Sequence, residues 1–147
     1  DPDGETREFY SMIGAKIAEF PLTRRAAVAA HAMMSPVIMG APNVVRGGSH
    51  SGNIAATDLA RHGWLDVLSS DYVPGALVHA AFLLPELAEE VSLPDAIRMV
   101  TLRPATAAHL HDRGEIAVGK RADLVRVKRR DDMPTVRAVW RQGHRVS

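Results

Sequence analysis

Asp71 ends the apolar run LDVLSS, at the point where a buried strand would pass into a loop. A carboxylate at such an exit can hold a metal or take a proton from a metal-bound water. Parallel α/β sheets and barrels bind ligands at that C-terminal edge. On position alone, a helix cap or a loop hydrogen bond is an equal reading. The second candidate is GAPNVVRGGSHSGN, Gly40 to Asn53, which holds four glycines, one arginine and one histidine. These fourteen residues lack apolar periodicity, and a median connection is only about 4–6 residues long. Backbone N–H groups of Gly47, Gly48 and Gly52 could approach a phosphate where no Cβ intervenes. Arg46 offers a fork for two oxyanion hydrogen bonds, and Asn43, Ser49, His50 and Asn53 add polar groups. A helix starting at Asn53 would aim its positive end at the same region. Together these features describe an anion site.

Glu19 is a third candidate, because a carboxylate in the strand-like IAEF would be costly if buried unpaired. It is either a functional group at a sheet edge or the first exposed residue after Ala18. The histidines other than His50 read as surface or packing groups.

The elements that must position these groups follow from the apolar pattern. Glu5 to Ala15 is predicted as a helix with Phe9, Met12 and Ile13 on one face. IAEF and PVIMG are predicted strands on either side of the helix RRAAVAAHAMM, which Thr23 can cap. Asn53 is expected to cap the helix IAATDLARH, closed by Gly63, and WLDVLSSD is the next strand. Pro74-Gly75 then turns into the helix ALVHAAFLL. The strands are continuous apolar runs joined by short helical crossovers, which predicts a parallel sheet covered on both faces. Ser92 with Asp95 forms a capping box before LPDAIRMV, and Pro104 is expected to open ATAAHL.

At Asp112 the pattern changes. RADLVRVKRR and TVRAVWRQ alternate with period two around the turn-forming RDDMP, and Gly143 allows a last turn, so a small antiparallel sheet is expected. The fold class is α/β, divided into residues 1–111 and 112–147.

The chain has 147 residues, 18 of them basic and 17 acidic. Such a balance argues against nucleic acid or an anionic membrane as partner. Residues 112–147 carry ten Lys/Arg against five Asp/Glu, net +5, and the remainder eight against twelve, net −4. The basic residues alternate with apolar ones, which reads as the solvated face of a sheet. The absence of cysteine excludes disulfides, thiolate zinc sites and cysteine nucleophiles, and suits a reducing cytoplasm. No apolar run is long enough to span a bilayer. The start, DPDGETREFY, is unlike a signal peptide and has no Met, so a piece of a longer protein is expected.

IAEFPLT, VIMGAPNVVRGGSHSGN, LDVLSSDYVP, VTLRPATAAHL and DRGEIAVGKRADLVRV, taken together, resemble the phosphonate-metabolism (PhnM-type) family of the amidohydrolase superfamily. The resemblance covers essentially the whole chain. It implies the last βα units of a (β/α)8 TIM-like barrel over residues 1–111, and strands of a small β-sandwich over 112–147. It further implies one or two divalent metals, usually zinc, and release of pyrophosphate from α-D-ribose 1-methylphosphonate 5-triphosphate. Asp71 matches the carboxylate after the last barrel strand, which ligates metal and accepts a proton from the attacking water. The remaining metal ligands would lie upstream of Asp1, so the isolated chain is expected to be inactive. The long loop would lie over the barrel mouth, with Asn43, Arg46, Gly47, Gly48, Ser49 and His50, and Glu19 at the rim, facing an anionic phosphonate or polyphosphate sugar. Open strands favour a homo-oligomer. The alternatives are an amidohydrolase acting on a C–N bond, such as a deacetylase or cyclic amidase, and a non-catalytic half-barrel assembly module.

Overall fold

The structure, a computed structural model, describes residues 1–48, 52–130 and 133–147. Helix α1 (Gly4–Met12) leads into strand β1 (Ala18–Glu19), helix α2 (Arg24–Ala32) and strand β2 (Val37–Gly40). Helices α3 (Ala41–Val45) and α4 (Ala56–Arg61) connect β2 to β3 (Val67–Ser69). Helices α5 (Ala76–Leu87), α6 (Leu93–Arg98) and α7 (Leu102–Ala107) follow, then strands β4 (Leu124–Arg130), β5 (Met133–Arg141) and β6 (His144–Arg145). The first three strands form a parallel sheet in the order β1-β2-β3, and the last three an antiparallel sheet in the order β4-β5-β6. The mixed α/β order and the change of pattern after Asp112 are therefore as the sequence reads. No helix among the described residues is long and apolar enough to cross a membrane.

Strand register separates the two faces of the parallel sheet, because partners in register point the same way and neighbours along a strand alternate. Ala18 pairs with Val37, and Met39 with Leu68. These four are buried with Ala27, Ala30, Val44, Leu59 and Leu84 in the core beneath the helices. Many of the core side chains are alanine, which lets the helices approach the sheet closely. The opposite face carries Glu19, Ile38, Gly40, Val67 and Ser69.

Several helix ends obey the expected chemistry. Thr23 accepts from Ala26 N–H at 3.2 Å, and Ser92 from Asp95 N–H at 3.3 Å. Gly63, at φ 70°, closes α4 by donating to the Ala60 carbonyl, while Trp64 N–H reaches Leu59. Gly14 stops α1 earlier than predicted, donating to Ser11 while Ala15 N–H reaches Tyr10. α2 and α7 finish in the same left-handed manner with Met34 (φ 54°) and His109 (φ 56°) in place of glycine. α5 runs on through Pro85, which sits in its last turn and so removes a single hydrogen bond. Pro104 lies third in α7 rather than at its start.

Two expectations are corrected. The apolar residues predicted to define the buried face of α1 are exposed, Phe9 at 54% and Met12 at 76%, whereas Arg7 is buried at 1%. Its guanidinium donates to the carbonyls of Ala15 and Ile17 and pairs with Asp1 at 3.2 Å, pinning the approach to β1. Asn53 does not cap α4. The N-cap position is Ala55, and Asn43 Oδ1 accepts the Ala56 N–H at 2.9 Å from across the loop.

In the antiparallel sheet Val125 faces Val139 and Val127 faces Val136, with a bulge between Arg126 and Val127. Val125 (56% exposed) and Val136 (42%) leave an apolar side open. Gln142 and Gly143, both at positive φ, make the β5–β6 turn. Asp123 clips that turn to β4 by accepting Gln142 N–H at 2.9 Å and pairing with Arg121 at 2.8 Å. The RDDMP turn is only partly visible, since Asp131 and Asp132 lie outside the described residues.

Met34→Gly should raise stability by about 0.5–1 kcal/mol, because the left-handed strain it relieves outweighs the unfolded-state entropy that glycine adds. Met34 is 91% exposed, so little packing is lost, and the midpoint of denaturant unfolding reads the change. Acid should act in the opposite direction. The Ser92 hydroxyl, then Arg98, holds the Asp95 carboxyl below its ordinary 3.8. Arg113 does so for Asp112, and the Gln142 backbone N–H, then Arg121, for Asp123. Carboxyls depressed in the folded state stabilise it above the unfolded value and lose that contribution as pH falls through the folded values. The melting temperature is expected to hold at neutral pH and to drop below about pH 4, with a shallower drop in Asp123→Asn.

Candidate functional site

Because β1, β2 and β3 are parallel, their C-terminal ends lie along one edge of the sheet. Glu19 ends β1, Gly40 ends β2 and pairs with Ser69, and Ser69 ends β3. All three lie on the face turned away from the helical core. Glu19 is exposed, two strand spacings or about 10 Å from β3.

Past Ser69 the chain turns sharply, with Asp71 at a left-handed φ of 51°. Asp tolerates that conformation better than most residues. The turn brings the carboxylate back over the end of β2. A Cβ on Gly40 would stand 2.8 Å from Asp71 Oδ2 and 3.3 Å from Asp71 Cβ. Gly40 has φ −73° and ψ 133°, which any residue adopts, so clearance rather than conformation calls for glycine. Among the described residues the Asp71 carboxylate has no hydrogen-bond or ion-pair partner, and Asp71 is exposed. The Ser69 hydroxyl beside it is buried and also without a partner among those residues.

The stretch after β2 is not one open loop. α3 continues directly from the strand, burying Ala41, Pro42 and Val44. Arg46 N–H donates to Pro42 O, Gly47 N–H to Val44 O and Gly48 N–H to Asn43 O, with Gly47 at φ 77°. These bonds terminate the helix by a left-handed cap. The backbone donors of Gly47 and Gly48, expected to face a phosphate, are thus engaged within the chain. Arg46, the last residue of that turn, donates from Nη1 to the Tyr72 hydroxyl at 2.5 Å, and its guanidinium lies 5.3 Å from the Tyr72 ring centroid. Arg46 and Asp71 therefore lie at the same edge, with Tyr72 linking them. Ser49 and His50 lie outside the described residues.

Three groups escaped the sequence reading. Tyr72 and Ser69 stand in the quoted LDVLSSDYVP without an assigned role, and Gly40 was one loop glycine among four. His109 and His111 were read as surface or packing groups, although they have the H-x-H spacing of a metal pair. Their rings meet edge to face at 6.0 Å, and His109 serves as the left-handed end of α7. No cluster of three or more His, Asp or Glu suited to a metal occurs among the described residues. A cavity of about 730 Å³ opens at the other end of the strands, lined by residues that precede them, such as Ile17, Pro36 and Asp66. It does not contain the strand-exit groups, and Asp66 there is occupied in accepting Val37 N–H at 2.9 Å.

The sequence profile of the Amidohydrolase family matches residues 12–147. This chain belongs to the amidohydrolase family. It is 53% identical over 135 residues to the alpha-D-ribose 1-methylphosphonate 5-triphosphate diphosphatase of Escherichia coli (strain K12), covering 91% of this chain and 36% of that protein. A dihydroorotase of Methanopyrus kandleri is 36% identical over 87 residues, covering 48% of the chain and 20% of the relative. An adenine deaminase of Lysinibacillus sphaericus is 40% identical over 63 residues, or 42% of the chain and 10% of the relative. A crystal structure of an uncharacterized protein shares the fold with a TM-score of 0.67 at 20% identity, over 99% of this chain and 44% of that one.

In this amidohydrolase chain the Gly40 clearance is testable. Gly40→Ala is expected to leave stability within about 1 kcal/mol, since the rotatable carboxylate can swing aside. If Asp71 is a reacting group, as proposed below, the substitution should cut kcat/KM of the polypeptide encoded by the complete reading frame by at least about tenfold, because displacing such a group by 1 Å can cost about 100-fold. Calorimetry with steady-state kinetics reads both.

Proposed function

We propose that this chain contributes the strand-exit edge of a metal-dependent hydrolase that releases pyrophosphate from α-D-ribose 1-methylphosphonate 5-triphosphate. The observation that carries the reading is the 53% identity over 91% of the chain to a protein so named. In this proposal residues 1–111 are the last βα units of a (β/α)8 barrel, and residues 112–147 are strands of a small β-sandwich. The open apolar faces around Phe9, Met12, Val125 and Val136 are covered in the complete protein, which forms a homo-oligomer in the cytoplasm. No nucleic acid or membrane takes part.

The exposed carboxylate of Asp71 over Gly40, without a partner among the described residues, fits one ligand of a divalent metal, zinc in this reading. The metal would supply Lewis acidity at the attacking water. Asp71 accepts the proton that this water gives up as its oxygen bonds to phosphorus. The bond that breaks lies between the α and β phosphoryl groups, and pyrophosphate leaves with the electron pair. Arg46 receives the β and γ phosphoryl oxygens, where charge accumulates. Ser49, His50 and the Asn43 amide nitrogen contribute further donors, with Gly47 and Gly48 allowing close approach, and Glu19 marks the opposite side of the rim.

The matches to a dihydroorotase and an adenine deaminase favour action at a C–N bond as the second reading. Arg46 at the strand exits suits a polyanion better than a neutral amide. The complete reading frame, loaded with zinc, is expected to release pyrophosphate from the ribose triphosphate, and Asp71→Asn to abolish that release. Arg46→Ala should weaken substrate or pyrophosphate binding by about 1.5–3 kcal/mol, the range for a hydrogen bond to a charged group, with little change in stability. Cyclic amide turnover without pyrophosphate release would overturn the reading.

A further inference from the structure

Tyr72 follows Asp71, and the left-handed turn at Asp71 directs it away from the line of β3 and toward the loop after β2. The residue is 59% exposed, so burial does not explain an aromatic residue there. What the ring and hydroxyl do is hold one side chain. The hydroxyl accepts from Arg46 Nη1 at 2.5 Å, fixing the direction of the guanidinium, and the ring, 5.3 Å from it, fixes its tilt. An exposed arginine otherwise carries about 2 kcal/mol of rotamer entropy, part of which is lost each time it captures a ligand. Held in advance, Arg46 loses less of it on binding. The chemistry of the partner matters as well. A carboxylate at position 72 would orient the guanidinium as firmly but would cancel its charge. A tyrosine hydroxyl, a neutral acceptor, orients the cation without cancelling its charge.

We propose that Tyr72 is a positioning residue that holds Arg46 at the strand-exit edge for the phosphate chain of a polyanionic substrate, and so selects polyphosphates over neutral compounds. The inference rests on the proposed role of Arg46 as a phosphate contact, and extends it to a residue that meets the substrate only through Arg46.

The test uses the polypeptide encoded by the complete reading frame, with inorganic tripolyphosphate titrated by calorimetry and steady-state kinetics on the ribose triphosphate. Tyr72→Phe keeps the ring and removes the acceptor. It should weaken tripolyphosphate binding and raise KM by about three- to tenfold while kcat and melting temperature hold. Tyr72→Glu, which replaces orientation with neutralisation, should weaken binding at least as much as Arg46→Ala. The double variant Tyr72→Phe/Arg46→Ala should bind no more weakly than Arg46→Ala alone, because one side chain acts through the other. If Arg46→Ala weakens binding and Tyr72→Phe does not, the positioning role is wrong while the reading of Arg46 stands. If the two losses add in the double variant, Tyr72 acts independently of Arg46 and the proposal falls. If Arg46→Ala changes neither binding nor KM, Arg46 is not a phosphate contact, and both readings fall together.

Discussion

The end of β2 has no side chain, and the carboxylate of Asp71 occupies the space that one would fill. The arrangement at the strand exits depends on this clearance. Were position 40 to carry a methyl group, the Asp71 carboxylate would have to swing off the end of β2. The left-handed turn at Asp71 also sends Tyr72 toward Arg46 at the same edge. Gly40 also passes directly into α3, so the same residue sets where the helix begins and hence where Arg46 emerges one turn later. One missing Cβ thus couples two loops that follow different strands. The coupling is local and steric, and it needs no motion to operate.

The parallel sheet was legible because its strands are short, continuous apolar runs, and because the helix signals between them are strong. Thr23, Gly63 and the Ser92–Asp95 pair each act as their residue types predict. The loop after β2 was misread for an equally physical reason. Its helical turn is only five residues long, too short for apolar periodicity to register, and proline with glycine looks like loop chemistry. The glycines there serve two different purposes. Gly47 gives the left-handed residue that ends α3, whereas Gly40 gives room for a side chain 31 positions later in the chain. Local sequence can suggest the first use. It cannot encode the second, which exists only once β2 and β3 are paired.

Capping shows the same divide. Asn53 stands at a natural N-cap position by sequence, yet Asn43 performs the bond from thirteen residues earlier. The long-range partner also ties the end of the loop to the helix that starts it, closing the segment on itself. Arg7 is a comparable case. Helical spacing marks Phe9, Met12 and Ile13 as the inward face of α1, but the buried side chain is the arginine. Three acceptors converge on its two terminal nitrogens at the approach to β1, offsetting most of the cost of burying the charge, while Nε is buried without a partner among the described residues.

Charge at the strand exits sets a condition on any anionic ligand. Glu19 and Asp71 bring two negative charges to the ends of β1 and β3, and Arg46 brings one positive charge between them. A triphosphate approaching these three groups alone would meet net repulsion at close range, where screening by salt is least effective. Polyphosphate binding at this edge therefore requires added positive charge on the carboxylate side, which a divalent cation held by Asp71 would supply. The two functions assigned to the edge are in this way interdependent. In the proposed reading a metal at Asp71 would turn the carboxylate from a repulsive group into part of a cationic one, and Arg46, whose Nη1 donates to the Tyr72 hydroxyl, would meet the ligand from the β2 side.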